Sequence, residues 1–196
     1  MSSPTFPAGP STPEADLAIF AAAAALLSLE RVCYVWICQR PDLFRAAAGV
    51  VVSTAAADPL PFVSGLFWVF KTIQLGVFAA WCWWFGGPAW IDDRAAGVIA
   101  LGAAGVLAGQ VLNAGVFYRL GATGVFYGSS FGYVVPWRRE FPFSFFRHPQ
   151  YVGVVTSIWG LFFMLRFPHG DWYVLPVLET LYYGIGARLE HARVAG

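Results

Sequence analysis

The residues best suited to chemistry stand close together in the heptad RHPQYVG at 147–153. Pro149 biases His148 away from helical backbone and suits the first turn of a helix that begins there. A guanidinium, an imidazole and a phenol (Arg147, His148 and Tyr151) are thereby set at a helix N-terminus, with Gly153 one turn on. Unpaired backbone N–H groups at such an end attract a carboxylate or another anion. The same residues have a structural reading, in which Arg147 snorkels to the interface and His148 caps a turn. Two carboxylates are candidates for acid–base work beside them, Glu140 and Glu190. Glu190 sits in RLEH at 188–191, after the last apolar run, and three roles are open to it. It can pair with Arg147, bind an amine, or accept a proton; as a plain solvated tail charge it would do none of these. Arg138 and Arg139 are planar donors suited to bidentate contact with an oxyanion, and equally suited to fixing topology beside anionic head groups.

Around these groups, the interval 120–153 is rich in glycine, proline and aromatics, with glycines at 121, 124, 128, 132 and 153. Glycine lets backbone turn sharply or come close to a ligand, so an ordinary helix is not expected here. Tyr127, Phe131, Tyr133 and Trp137 can pack against a cation or form an interfacial aromatic belt. Upstream, Gly102, Gly105 and Gly109 fall within about 60° of one another on a helix, a small-residue stripe that reads first as a packing face. No Gly-x-Gly-x-x-Gly follows a strand pattern, which removes support for a dinucleotide-type fold.

The elements that hold these residues are written in the composition. Of 196 residues, 58% are hydrophobic and 12% charged, about half the charge of a soluble domain. That apolar surplus calls for lipid as solvent, and a net charge of +1 excludes a strongly basic nucleic-acid face. Apolar stretches at 17–38, 61–85, 95–117, 151–165 and 172–189 predict an all-α, polytopic transmembrane bundle of about five segments. Arg166 to Asp171, with Pro168 and Gly170 between, turn the last two into a helical hairpin that spans or only dips into the membrane. Five segments gather Arg40, Arg45, Arg119, Arg138, Arg139, Arg147, Arg188 and Arg193 on one side. Glu14, Asp16, Asp92, Asp93 and Asp171 fall on the other, with Arg94 and Arg166. The arginine bias places the first group, and the C-terminus, in the cytosol.

Glu30, Arg31 and Lys71 interrupt membrane segments, where charge usually faces the protein interior. An ion pair between Glu30 and Lys71, with Lys71 marking a polar cavity, is the reading that uses them; snorkelling is the rival for Glu30 and Arg31. Residues 1–16 read as a disordered tail, without the features of a signal or transit peptide, and 17–196 as one membrane domain. Cys33, Cys38 and Cys82 have neither disulfide nor zinc spacing and read as small buried hydrophobes; no metal is expected.

FYGSSFG at 126–132, VPWRREFPF at 135–143 and RHPQYVG, with a glutamate after a final apolar run, resemble the phospholipid methyltransferases. These are the phosphatidylethanolamine N-methyltransferase family, and the likeness is greatest to its plant-type branch, the phosphatidyl-N-methylethanolamine N-methyltransferases. It is dense from Gly109 to Gly153, including GQVLN at 109–113, and loose elsewhere. The RHPxYxG core also resembles isoprenylcysteine carboxyl methyltransferases, which makes carboxyl methylation of a prenylated cysteine the rival activity. A non-catalytic membrane subunit on the same scaffold is the rival from outside enzymology. The resemblance implies S-adenosylmethionine as methyl donor and no metal, with contacts at Leu107, Ala108 and Gly109 and at Glu190 and His191; the helix N-terminus described above adds Arg147, His148, Pro149, Tyr151 and Gly153 as candidates for holding the donor's carboxylate. His191 stands where the family has a second acidic residue, and Gly109 is the one glycine kept of a Gly-x-Gly pair. It further implies a phospholipid acceptor, an endoplasmic-reticulum setting and products on the path to phosphatidylcholine. On that reading Arg138, Arg139 and Tyr127 are the substrate contacts, and Glu190, His148 and Glu140 the candidates for removing a proton from the amine.

Overall fold

The computed structural model describes residues 12–52, 58–87, 95–136 and 138–194, and they are helical with connecting turns. The order is α1 (Pro13–Gln39), α2 (Pro41–Val52), α3 (Pro59–Gly86), α4 (Ala96–Val125), a short 3-10 turn at Gly128–Phe131, α5 (Pro149–Arg166) and α6 (Val174–Val194). Three of these, α1, α3 and α4 with the turn that follows it, are long and apolar enough to cross a membrane. The remaining two expected segments are the α5–α6 hairpin.

Local chemistry sets the boundaries. Thr12 caps α1, its side-chain oxygen accepting from Ala15 N at 3.2 Å, with Pro13 in the first turn and Glu14 and Asp16 facing the positive end of the helix dipole. The helix therefore opens inside the stretch expected to be tail; residues 1–11 lie outside the described ones. Asp58 caps α3 in the same way, 3.0 Å from Leu60 N. Pro41 starts α2, an element the apolar runs did not signal; it buries Phe44 and Ala48 against Val63 and Phe131. α4 runs past the expected end at 117 and breaks at Gly121, whose φ of 63° is open to glycine at little cost.

α4 and α5 lie against each other along a glycine seam. Gly102, Gly105 and Gly109 of α4 face Gly153, Ser157 and Gly160 of α5, so that a Cβ on Gly102 would stand 2.7 Å from Gly160 O and one on Gly153 would stand 2.7 Å from Gly109 O. Backbones this close exchange dispersion contacts that side chains would prevent. The opposite face of α5 buries Ile158 and Phe162 against Phe78 of α3 and Leu175 of α6.

Contacts between helix ends sort them into two groups. Trp84 Nε1 donates to Asp16 Oδ1 at 3.0 Å, and Trp81 Nε1 to Asp171 Oδ2 at 3.1 Å. Arg166 holds Asp171 through two hydrogen bonds, of 2.9 and 2.6 Å, and reaches Phe85 O at 3.2 Å. These join the start of α1, the end of α3 and the hairpin turn. At the other end Arg45 donates to Phe131 O at 2.9 Å and Arg119 to Phe141 O at 3.2 Å, joining α2, the end of α4 and the loop before α5. Asp16, Arg166 and Asp171 thus share one end, and Arg45 and Arg119 the other, the grouping the charge pattern requires.

Candidate active site

The second end of the bundle holds a cavity of about 830 Å³ bounded by α1, α3, α4, α5 and α6. Part of its wall is built by three residues that the sequence keeps far apart. Tyr127 and Tyr151 place their hydroxyls 2.9 and 2.5 Å from Glu190 Oε1, and 3.2 Å from each other. Tyr127 gets there because the chain leaves α4 in the left-handed conformation, φ 59° and ψ 29° at that residue. Tyr151 lies in the first turn of α5 and Glu190 near the end of α6. His148 occupies the cap position before α5, as Pro149 dictates, and its ring stacks on Tyr151 with centroids 5.8 Å apart. Arg147, His148 and Pro149 line the same cavity.

Deeper in the wall lies a charged cluster from α1 and α3. Glu30 Oε1 takes Arg31 Nη2 at 2.7 Å and Lys71 Nζ at 3.0 Å. Lys71 Nζ also reaches Gln74 Oε1 at 3.1 Å and Tyr183 Oη at 3.3 Å, while Gln74 donates to Glu179 at 2.6 Å. The Arg31 guanidinium sits over the rings of Tyr183, Tyr34 and Tyr151 at 4.1, 5.1 and 5.4 Å. The ion pair expected of Glu30 and Lys71 is present, and Arg31 turns inward rather than snorkelling. Charges in apolar helices are tolerated when they pair and face a cavity, and these do both.

Several expected contacts lie elsewhere. Leu107 and Ala108 are exposed on the outer face of α4, and Gly109 is closed off by Gly153 and Ser157 of α5. The glycine stripe is consumed by helix packing, and α4 reaches the cavity through other residues, among them Val106, Gln110, Asn113 and Phe117. Gly153 belongs to the same seam. Arg138, Arg139 and Glu140 are exposed in the loop and do not line the cavity. Hydrogen bonding within its own turn, with Arg119 and Arg138 nearby, holds the Glu140 carboxyl below its usual range, so it is also a weakened base. The His191 side chain and Trp137 lie outside the described residues. Tyr34, Gln74, Asn113 and Tyr183 line the cavity with no expectation attached; Asn113 alone carried a signal, as the last residue of GQVLN.

The family model for phospholipid methyltransferases matches residues 98–194. This stretch supplies Tyr127, His148, Tyr151, Tyr183 and Glu190, while α1 and α3 bring the charged wall from outside it. Phosphatidyl-N-methylethanolamine N-methyltransferase of Arabidopsis thaliana is 50% identical over 50 residues, a stretch that covers 26% of this chain and 30% of that protein. No solved structure matches the chain significantly.

The cavity suits a ligand with both polar and planar parts. Asn113 Oδ1 and Tyr34 Oη are buried without a hydrogen-bond partner, and buried polar atoms are rarely left so. Among the described residues no group of three or more His, Cys, Asp or Glu could hold a metal ion.

Proposed function

We propose that the chain methylates the amine head group of a membrane phospholipid, with S-adenosylmethionine as donor. The acceptors are phosphatidyl-N-methylethanolamine and phosphatidyl-N,N-dimethylethanolamine, with phosphatidylethanolamine as a third to be tried, and the end product is phosphatidylcholine. One observation carries this reading: Glu190, Tyr127 and Tyr151 meet on the wall of a cavity that is otherwise lined by apolar side chains and one charged cluster. A water-soluble donor and a lipid acceptor need such a junction. The orphaned Asn113 and Tyr34 atoms, the tyrosine faces and Glu190 are the groups that would hold the donor, which supplies a methyl carried on a sulfonium.

The acceptor nitrogen needs a free lone pair, and an alkylammonium has a pKa of about 10. The domain's residues meet this in two ways. Apolar walls withdraw water from the amine, which disfavours its charged form. Glu190, fixed by two phenols, draws the ammonium to this wall and orients it, while His148 on the same wall takes its proton. Holding both reactants then replaces a bimolecular encounter. The cytosolic side carries the cavity, following the arginine bias, and the endoplasmic reticulum is the membrane the family reading favours.

The test is incubation of purified protein in lipid with methyl-labelled S-adenosylmethionine, followed by head-group analysis, with farnesylcysteine offered in a parallel reaction. Label is expected in ethanolamine-derived lipids. Label on farnesylcysteine alone makes the chain a carboxyl methyltransferase; absence of both label and saturable donor binding makes it a non-catalytic subunit.

A further inference from the structure

Arg31 is the most deeply placed cation facing the cavity, and it is only half used. It is 8% exposed, its Nη2 pairs with Glu30, and its Nη1 is buried with no hydrogen-bond partner. One Glu30 carboxylate serves both Arg31 and Lys71, so the cavity wall presents two cations against one shared anion. Glu179, the other acid nearby, lies behind this wall and holds Gln74. A buried guanidinium N–H left open is costly unless a ligand completes it, and a guanidinium is shaped for a phosphate or carboxylate.

The surroundings decide between those anions. Phe67, Leu75 and Phe78 lie four residues before, four after and seven after Lys71, so they share its face of α3 and line the cavity with it. Trp68 and Leu75 line the cavity yet are 67% and 60% exposed, so the space opens sideways between α3 and α4 toward lipid. An anion on Arg31 and Lys71 therefore has an apolar exit beside it, suited to acyl chains and unsuited to the polar remainder of a nucleoside-bearing donor. Tyr151 connects the two ends of the site, with Arg31 over its ring and Glu190 at its hydroxyl. A cation and a carboxylate separated by one tyrosine match a zwitterion whose phosphate and amine are a short linker apart.

We propose that Arg31, backed by Lys71, binds the phosphodiester of the lipid acceptor, the role expected from sequence of Arg138 and Arg139. This rests on the lipid N-methyltransferase reading. The experiment compares wild type with Arg31→Gln and Arg31→Lys. It measures KM for phosphatidyl-N-methylethanolamine, KM and equilibrium binding for S-adenosylmethionine, and retention of that phospholipid against a phosphate-free N-methylamine of matched chains. Wild type is expected to retain the phospholipid about tenfold better than the phosphate-free amine. Arg31→Gln should erase that preference and raise the lipid KM by about tenfold while donor binding holds, with partial rescue in Arg31→Lys. Lost donor binding with lipid preference intact would reassign Arg31 to the donor's carboxylate and overturn the proposal. Equal retention of the two lipids by wild type overturns it too, whether or not the variants fold. A phospholipid preference that Arg31→Gln erases, in a protein that transfers no methyl, would uphold the Arg31 site while ending the activity reading.

Discussion

Tyr127 holds a left-handed backbone that costs a non-glycine residue on the order of 1–2 kcal/mol. What the chain gains is a hydroxyl on Glu190 next to that of Tyr151, and strain retained at such a point marks a position where geometry matters more than stability. Glu190→Gln should lower methyl transfer by about 10²-fold or more, and Tyr151→Phe by about tenfold, with thermal midpoints near wild type; initial rates and melts in detergent decide this. Glu140→Gln should change the rate by less than about twofold, because an exposed loop carboxylate outside the cavity has no role to lose. At this scale sequence was informative where proline dictates backbone: His148 capping α5 follows from Pro149 alone. It could not place Glu140, Arg138 and Arg139 relative to the cavity, which they do not line, since nearness along the chain to RHPQYVG says nothing about which way a turn aims its side chains. Arg31 was visible as a charge out of place, but its inward aim depends on α6 bringing Tyr183 to it.

Among the elements, the glycine seam and the hairpin turn carry the strongest expectations. A methyl on Gly109 would overlap the Gly153 carbonyl and Ser157 Oγ. Gly109→Ala should therefore destabilise the protein by about 1–3 kcal/mol, read as a lowered thermal midpoint, whereas Gly97→Ala, with open space around it, should not. Asp171→Ala leaves Arg166, 2% exposed, without its carboxylate and should cost about 3–5 kcal/mol by the same measurement. The apolar runs located α1, α3, α4, α5 and α6 because long uninterrupted hydrophobic stretches have one helical solution in lipid. They missed α2, which is short and half-buried, and they closed α4 at 117, where Tyr118 and Arg119 end the apolar run although the helix continues to the kink at Gly121. The glycine stripe was legible as a packing face; its partner, Gly153 with Gly160, was not, since nothing in one strand of text says which helix lies opposite.

For the whole molecule, the end-to-end contacts put the loop before α5 and the hairpin turn at opposite ends of the bundle. Single cysteines at Ser144 and His169, both exposed, should react with an impermeant thiol reagent from opposite faces of sealed vesicles, Ser144→Cys from the cytosolic face. Labelling of both from one face would refute the arrangement. The alternation of crossings put Asp16, Arg166 and Asp171 at one end and Arg45 and Arg119 at the other, as found; it gave no hint that α1 and α3 complete a cavity begun by the matched residues 98–194.

The seam between α4 and α5 has a mechanical consequence. Backbones held within contact of one another can neither slide nor separate without losing the whole interface, so these helices act as a fixed jaw. α3, which borders the sideways opening, meets α4 through side chains, Phe67 against Phe117 and Phe126. The sideways opening thus has one border locked by backbone and one held by side chains, and the second belongs to the part of the chain outside residues 98–194.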